Sequence, residues 1–319
     1  MSNHDFCPAT LQEAMQYFSD LDTCEAFIVS IRWPQGVTCP NCGGTELSRI
    51  TTRRKWQCKD KECKKQFSVK LGTIFEDSAL GLDKWLPAMW LIASAKNGIS
   101  SYELHRALGI TQKSAWFVLH RIRLAMQNGS IEKMKGEVEA DETFIGGKAK
   151  NMHKSRREAK IKGRGSVGKA VVMGLLERDS NGSKVRAKVV KDMQGATLQF
   201  EIRANVELGS SLYTDAWKSY RGLSPEYQHQ FVDHAVAYVN GQVSTNGLEN
   251  FWCLLKRTVK GTYVSVDAQH LFRYLDEQSF RFNNRKSTDA VRFLKAMESI
   301  VGRRLTYAEL IGKSDDQEG

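Results

Sequence analysis

The chain has 319 residues, with 41% hydrophobic and 26% charged residues and a formal net charge of +11. This size and balance fit two or three folded domains and exclude a globally disordered chain. The basic excess points to a polyanionic partner, nucleic acid ahead of a membrane surface. The most apolar stretch, Leu86 to Ala95, is broken by Pro87 and Ser94 and falls far short of the ~20 residues of a membrane span, so no membrane partner is expected.

The N-terminus, MSNHDFC, has no basic region followed by an apolar run, so no secretory signal is expected and a cytoplasmic setting is. Residues 1–36 carry five acids and one base; the next block, residues 48–70, carries nine bases and two acids. Between these blocks lie Cys39-Pro-Asn-Cys42-Gly43-Gly44, followed by Cys58 and Cys63. Two cysteine pairs at this spacing can close a tetrahedral thiolate shell around Zn2+, with no position left for a substrate, so the metal is expected to be structural. Gly43 and Gly44 suit the knuckle, where the backbone takes positive φ. Strands are expected at Leu47–Ile50, Arg54–Gln57 and Gln66–Leu71. The result is a zinc ribbon preceded by a helix, within residues 1–78. Arg53, Arg54 and Lys55, with neighbouring lysines, are candidate phosphate contacts. Trp56 and Phe67 are expected to form the ribbon core. Cys24 and Cys253 lie in helical apolar patterns and are expected in cores.

Residues 79–130 show a helix-turn-helix order. Asp83–Lys96 has helical periodicity, and Asn97-Gly98 is a stop. Ser100 and Glu103 make a capping box for a short helix to Leu108, and Gly109 breaks it. Thr111 can cap a longer helix through Met126. Lys113, Arg121 and Arg123 would then face DNA; an ordinary helical connector is the alternative.

From residue 131 strands and helices are mixed. Strands are expected at Glu137–Gly147, Lys169–Arg178, Lys184–Lys191, Ser211–Asp215 and Gln230–Val239. Helices are expected at Ala196–Asn205, Trp217–Arg221, Asn246–Lys256 and Ala268–Asn283. The segment 148–169, with Arg156 and Arg157, reads as a basic loop on DNA. This is the element order of an α/β ribonuclease H-like domain, expected over residues 131–307, with a disordered tail at 308–319. In that fold Asp141 on the first strand, Asp215 ending the fourth and Glu249 on the following helix converge at one sheet edge. Carboxylates on separate elements can hold Mg2+ or Mn2+ for phosphoryl transfer. Glu139, on Asp141's face, is an alternative to it, and Asn246, three residues before Glu249, is an alternative third ligand. Glu142 should face away. Lys256 lies seven residues after Glu249, on the same helical face, where a cation can hold a DNA phosphate.

The stretches CPNCGG, FSVKLGTIFEDS, EADETFIGGK, YTDAWKSYRGL, STNGLENFWCLLKR and YLDEQSFRFNNR together resemble the bacterial insertion-sequence transposases of the ISXO-like group, which join a zinc ribbon to a DDE domain. The resemblance covers residues 10–300. It implies that Asp141, Asp215 and Glu249 are the catalytic triad, that Lys256 is the basic residue following it, and that His234 matches a family histidine near the metals or in the scaffold. Asp233 departs from the neutral polar residue expected there. The implied activity is cleavage and transfer of double-stranded DNA at terminal inverted repeats, by an oligomer associated with the bacterial nucleoid. A catalytically inactive DNA-binding regulator and a nuclease of the same fold are the rival expectations.

Overall fold

The computed structural model describes residues 7–127, 132–147, 153–155, 158, 168–215, 218–232 and 244–312. They form two compact units: residues up to 126 together with those from 287 onward, and residues 127–286.

The first unit opens with helices α1 (Leu11–Tyr17) and α2 (Leu21–Arg32), capped by the side-chain oxygens of Thr10 and Asp20. An antiparallel three-stranded ribbon follows: β1 (Leu47–Ile50), β2 (Lys55–Cys58) and β3 (Gln66–Phe67), in that order. The third strand is shorter than expected, because the chain turns at Ser68–Leu71. Next come α3 (Leu82–Ser94), α4 (Ser101–Leu108) and α5 (Gln112–Ala125). Ser100 and Glu103 form the expected capping box, Gly109 ends α4 at φ +64°, and Thr111 caps α5.

The second unit is a five-stranded mixed sheet with helices on both faces. Its strands are β4 (Glu137–Ile145), β5 (Ala170–Glu177), β6 (Lys184–Val190), β7 (Ser211–Asp215) and β8 (Gln228–Val232), in spatial order β6-β5-β4-β7-β8. The β4–β5 and β5–β6 pairs are antiparallel, whereas β4–β7 and β7–β8 are parallel. Its helices are α6 (Gly195–Asn205), α7 (Asn246–Thr258) and α8 (Leu271–Asn283). Strand alternation sorts the core. Val138, Ala140, Met173 and Leu175 pack with Leu198 and Ile202 of α6. On the other face Ile145, Val172 and Leu176 pack with Leu248, Phe251, Trp252 and Leu255 of α7 and with Leu275 of α8.

Three expected elements of the second unit differ. The helix expected at Trp217–Arg221 is a single 3-10 turn, Lys218–Tyr220. The strand expected at Gln230–Val239 begins at Gln228, and its stretch beyond residue 232 lies outside the described residues. The helix expected from Ala268 opens with a 3-10 turn before α8. Among the described residues, no helix is long and apolar enough to cross a membrane.

The chain then returns to the first unit with α9 (Asp289–Glu298) and α10 (Tyr307–Leu310). From sequence alone, residues 287–307 are expected in the catalytic domain and 308–319 in a disordered tail. Instead the apolar face of α9 enters the aromatic cluster of the first unit: Phe293 stacks on Phe27 at 5.8 Å and meets Trp90 at 5.3 Å and Phe18 at 5.7 Å. Backbone bonds from Ile74 to Ile300 and from Gly302 to Gly72 add a β-like stitch. Phe293 is fully buried, so Phe293→Ala is expected to cost about 3–5 kcal/mol. Hydrogen exchange should show faster exchange in α3 and α9 with β4 and β7 unchanged; exchange altered only in β4 and β7 would contradict the assignment.

Candidate metal centre and carboxylate site

The four expected cysteines come together. Their sulfurs all lie within 4.8 Å of one another, with Cys39 to Cys63 at 3.7 Å and Cys42 to Cys58 at 3.6 Å. A tetrahedron with ~2.3 Å bonds has edges of about 3.8 Å, so the group fits zinc. The knuckle is built by backbone: Cys39 N–H donates to the Gly44 carbonyl, Gly43 N–H donates to the Cys39 carbonyl, and Gly43 sits at φ +75°. Asp60 accepts from the N–H groups of Glu62 and Cys63, fixing the second turn. Trp33, Trp56 and Phe67 pack beside the cysteines, and Trp56 stacks on Phe67 at 5.8 Å. The aromatics are thus ribbon core, as expected.

The candidate DNA-contacting bases divide. Arg53 and Lys113 are exposed, Lys55 is half-buried, and Lys113 lies over the Tyr307 ring at 4.7 Å. Arg54 is half-buried and pairs with Asp22 on α2 at 2.6 Å. Arg121 and Arg123 do not face DNA: they are 2% and 1% exposed. Arg121 donates to the carbonyls of Leu305 and Glu76, which lie inside the same unit. The side of α5 that carries Arg121 is covered by chain from the distant C-terminal segment, which local periodicity cannot report. Arg156, Arg157 and His234 lie outside the described residues. Cys24 is buried as expected, but Cys253 is exposed, because α7 turns Leu248, Phe251, Trp252 and Leu255 inward instead.

Asp141 is the fifth residue of β4, Asp215 ends β7, and Glu249 lies in the first turn of α7. Glu139 pairs with Tyr213 across the parallel β4–β7 ladder, and Asp141 and Asp215 each lie two residues further on. They therefore share one face of the sheet, the face packed by α7. Burial pushes the Asp141 carboxyl up to about 6, and the charges of Asp215 and Glu249 add to that rise. The three acids are thus within electrostatic reach of one another. They do not form a closed shell: among the described residues only the four cysteines gather that tightly. Asn246 is exposed at the start of α7, and Lys256 is half-buried two turns after Glu249.

The structure also assigns work to acids that the sequence left open. Glu139 is 2% exposed and ties the sheet to α7. It accepts from the N–H of Leu248 at 2.9 Å and from Arg178 Nε at 2.8 Å. Glu142 faces the opposite side from Asp141, yet it belongs to the same electrostatic group. Its carboxylate accepts from the Tyr220 hydroxyl, and its own N–H donates to Asp141 Oδ1 at 2.8 Å. Burial, then the charges of Asp141 and Asp215, pushes Glu142 up to about 8. Behind Asp215, His229 Nε2 bonds the Thr214 hydroxyl at 2.9 Å. Arg178 and Tyr220 carry no local signal, since their partners lie 39 and 78 residues away.

Residues 133–283 match the family profile described as the ISXO2-like transposase domain, and residues 19–66 match the transposase zinc-ribbon domain. A Halobacterium salinarum protein, described as an uncharacterized protein in transposable element ISH50, is 25% identical over 258 residues, covering 78% of this chain and 86% of the relative. An uncharacterized transposase-like protein of Haemophilus influenzae is 33% identical over 115 residues, 36% of this chain and 93% of its own length.

Two outcomes follow from the site's chemistry. Cys58→Ser should lower bound zinc, read by metal analysis, and shift the fluorescence of Trp33 and Trp56, which pack on the cluster; full zinc retention would contradict the assignment. Carboxyls raised by the fold keep protons that the unfolded chain releases. Their stabilising effect is complete in acid and is lost as pH rises through about 6 for Asp141 and about 8 for Glu142. Without added divalent ions, Glu142→Gln should therefore raise the melting temperature at pH 9 more than at pH 5. An equal shift at both pH values would contradict this.

Proposed function

This chain belongs to the ISXO2-like transposase family, and from that premise we propose that it is a DNA transposase: it binds the ends of its element and performs metal-dependent strand cleavage and strand transfer at Asp141, Asp215 and Glu249. The observation that carries the reading is the placement of Asp141 and Asp215 on one sheet face, with Glu249 on the helix packed over it and both charges felt at Asp141. The strand order, three antiparallel strands followed by two parallel ones, supports a ribonuclease H-like domain.

The donor set is all carboxylate oxygen, drawn from three elements. It fits Mg2+ or Mn2+, which take oxygen ligands and keep several waters, so an open arrangement suits them. When bound, such ions activate a water or a 3′-hydroxyl and stabilise charge on the leaving oxygen. The protein's own residues supply position. Asp141 is held from both sides by N–H donors, from Glu142 and Trp252. Glu249 is favoured over Asn246 as third ligand, because it is an ionised oxygen donor of the kind Mg2+ prefers and lies one turn from Trp252, which contacts Asp141. Glu139 is disfavoured as a ligand, because it is fully buried and its charge is already neutralised by the ion pair with Arg178. Lys256 stands on Glu249's helical face, where it can hold a phosphate. No protein nucleophile is needed.

The exposed bases of the ribbon and the α4–turn–α5 pair, with Lys113, are assigned to DNA, in the manner of a helix-turn-helix. Arg156, Arg157 and His234 enter this reading from sequence alone. Joining two element ends calls for at least two active sites, hence an oligomer on DNA, working at the bacterial nucleoid.

Purified protein, end-labelled inverted-repeat DNA and Mg2+ provide the test. Wild type should cleave and join strands. Asp141→Ala, Asp215→Ala and Glu249→Ala should each bind DNA but lower the rate by more than about 100-fold. Binding without cleavage by wild type would instead indicate a regulator, and cleavage without joined products a nuclease. Full activity of Glu249→Ala would move the third ligand to Asn246.

A further inference from the structure

One aromatic side chain on α7 contacts the carboxylate site directly. Trp252 is 4% exposed and lies one helical turn after Glu249. Its Nε1–H donates to Asp141 Oδ2 at 2.9 Å. The other oxygen, Oδ1, accepts from the backbone N–H of Glu142 at 2.8 Å. Each carboxylate oxygen thus takes one donor and keeps lone-pair capacity for a cation. An indole N–H can only donate, so its direction does not switch with pH.

Space for the indole comes from a missing side chain. Gly174 on β5 pairs directly with Asp141 across the β4–β5 ladder. A Cβ on Gly174 would lie 2.6 Å from Trp252 Cζ2, 2.7 Å from its Cη2 and 2.8 Å from Leu248 Cδ2. Real Cβ atoms do not approach so closely, so any larger residue there must displace the Trp252 ring from its seat. A glycine inside an otherwise apolar strand is the expected mark of such an approach.

We propose that Trp252 is a positioning residue: its indole N–H, seated over Gly174, fixes the orientation of the Asp141 carboxylate for divalent-ion binding and links it to the helix that carries Glu249. This rests on the reading of Asp141 as a metal ligand. Losing a hydrogen-bond partner of a metal ligand commonly weakens metal binding by about 10–100-fold.

The test titrates Mn2+ into the full-length, zinc-loaded chain and reads free Mn2+ by electron paramagnetic resonance, with Asp141→Ala as reference. Placing β-(3-benzothienyl)alanine at position 252 keeps the ring's shape and replaces the N–H with sulfur. Trp252→Phe and Gly174→Ala reach the same contact independently. All three should weaken Mn2+ binding about tenfold or more, with melting of the second unit retained for the benzothienyl protein. Combining Trp252→Phe with Gly174→Ala should add little beyond either alone, since both act on one contact. Benzothienyl protein that binds Mn2+ within about twofold of wild type, while Asp141→Ala loses binding, would overturn the proposal and leave the metal reading intact. Wild type and Asp141→Ala binding Mn2+ equally would overturn both.

Discussion

Glu139 is a buried strand carboxylate that caps a helix from outside it. Helix α7 begins after Thr245, which makes no side-chain capping bond. The N–H groups of a helix's first turn need acceptors, and the dipole there favours negative charge. Glu139 supplies both from β4, through its bond to Leu248 N–H. The approach depends on Gly247, whose added Cβ would lie 2.9 and 3.0 Å from the two Glu139 oxygens. A buried carboxylate is costly unless paired, and Arg178 pairs with it while also donating to the Ser244 carbonyl at 2.7 Å just before the helix. The register of α7 along β4 is thereby fixed to a single residue. Glu249 follows Leu248 directly, and Trp252 meets Asp141 one turn later. Shifting α7 by one residue would rotate it by about 100° and carry Glu249 off the site.

The basic surface is smaller than the net charge suggests, because several bases are spent inside the fold. Two arginines of α5 are internal, and Arg121 serves backbone carbonyls. On the ribbon, Arg49 and Arg54 pair with Glu25 and Asp22 of α2, so the acidic N-terminal block meets part of the ribbon's charge within its own unit. Arg49 also covers the Trp56 ring at 4.2 Å. Among the described residues, Arg53 and Lys113 are bases that stay exposed.

Much of this could be read from sequence where the determinant is local. The cysteine spacing gave the ribbon, because two short turns suffice to gather four thiolates. Ser100 with Glu103, Gly109 and Thr111 marked helix ends within a residue, because caps are made by near neighbours. Strand alternation placed Asp141 and Glu142 on opposite faces. What stayed hidden depends on distant chain. Arg121 is covered by a carbonyl 184 positions away, and Trp252 reaches Asp141 across 111 positions. Residues 287–312 joined the first unit through aromatic packing that no local period encodes. Glu139 looked interchangeable with Asp141 because periodicity reports a face and not a partner.

In the proposed site, α7, held by Glu139, brings Glu249 to Asp141 and Asp215 to bind divalent ions together. A crystal of the full chain soaked in Mn2+ and measured at the manganese edge tests it directly. Anomalous peaks are expected in coordination contact with all three carboxylates and none at Glu139. A peak bound by Asn246 in place of Glu249, or none beside Asp141, would contradict it.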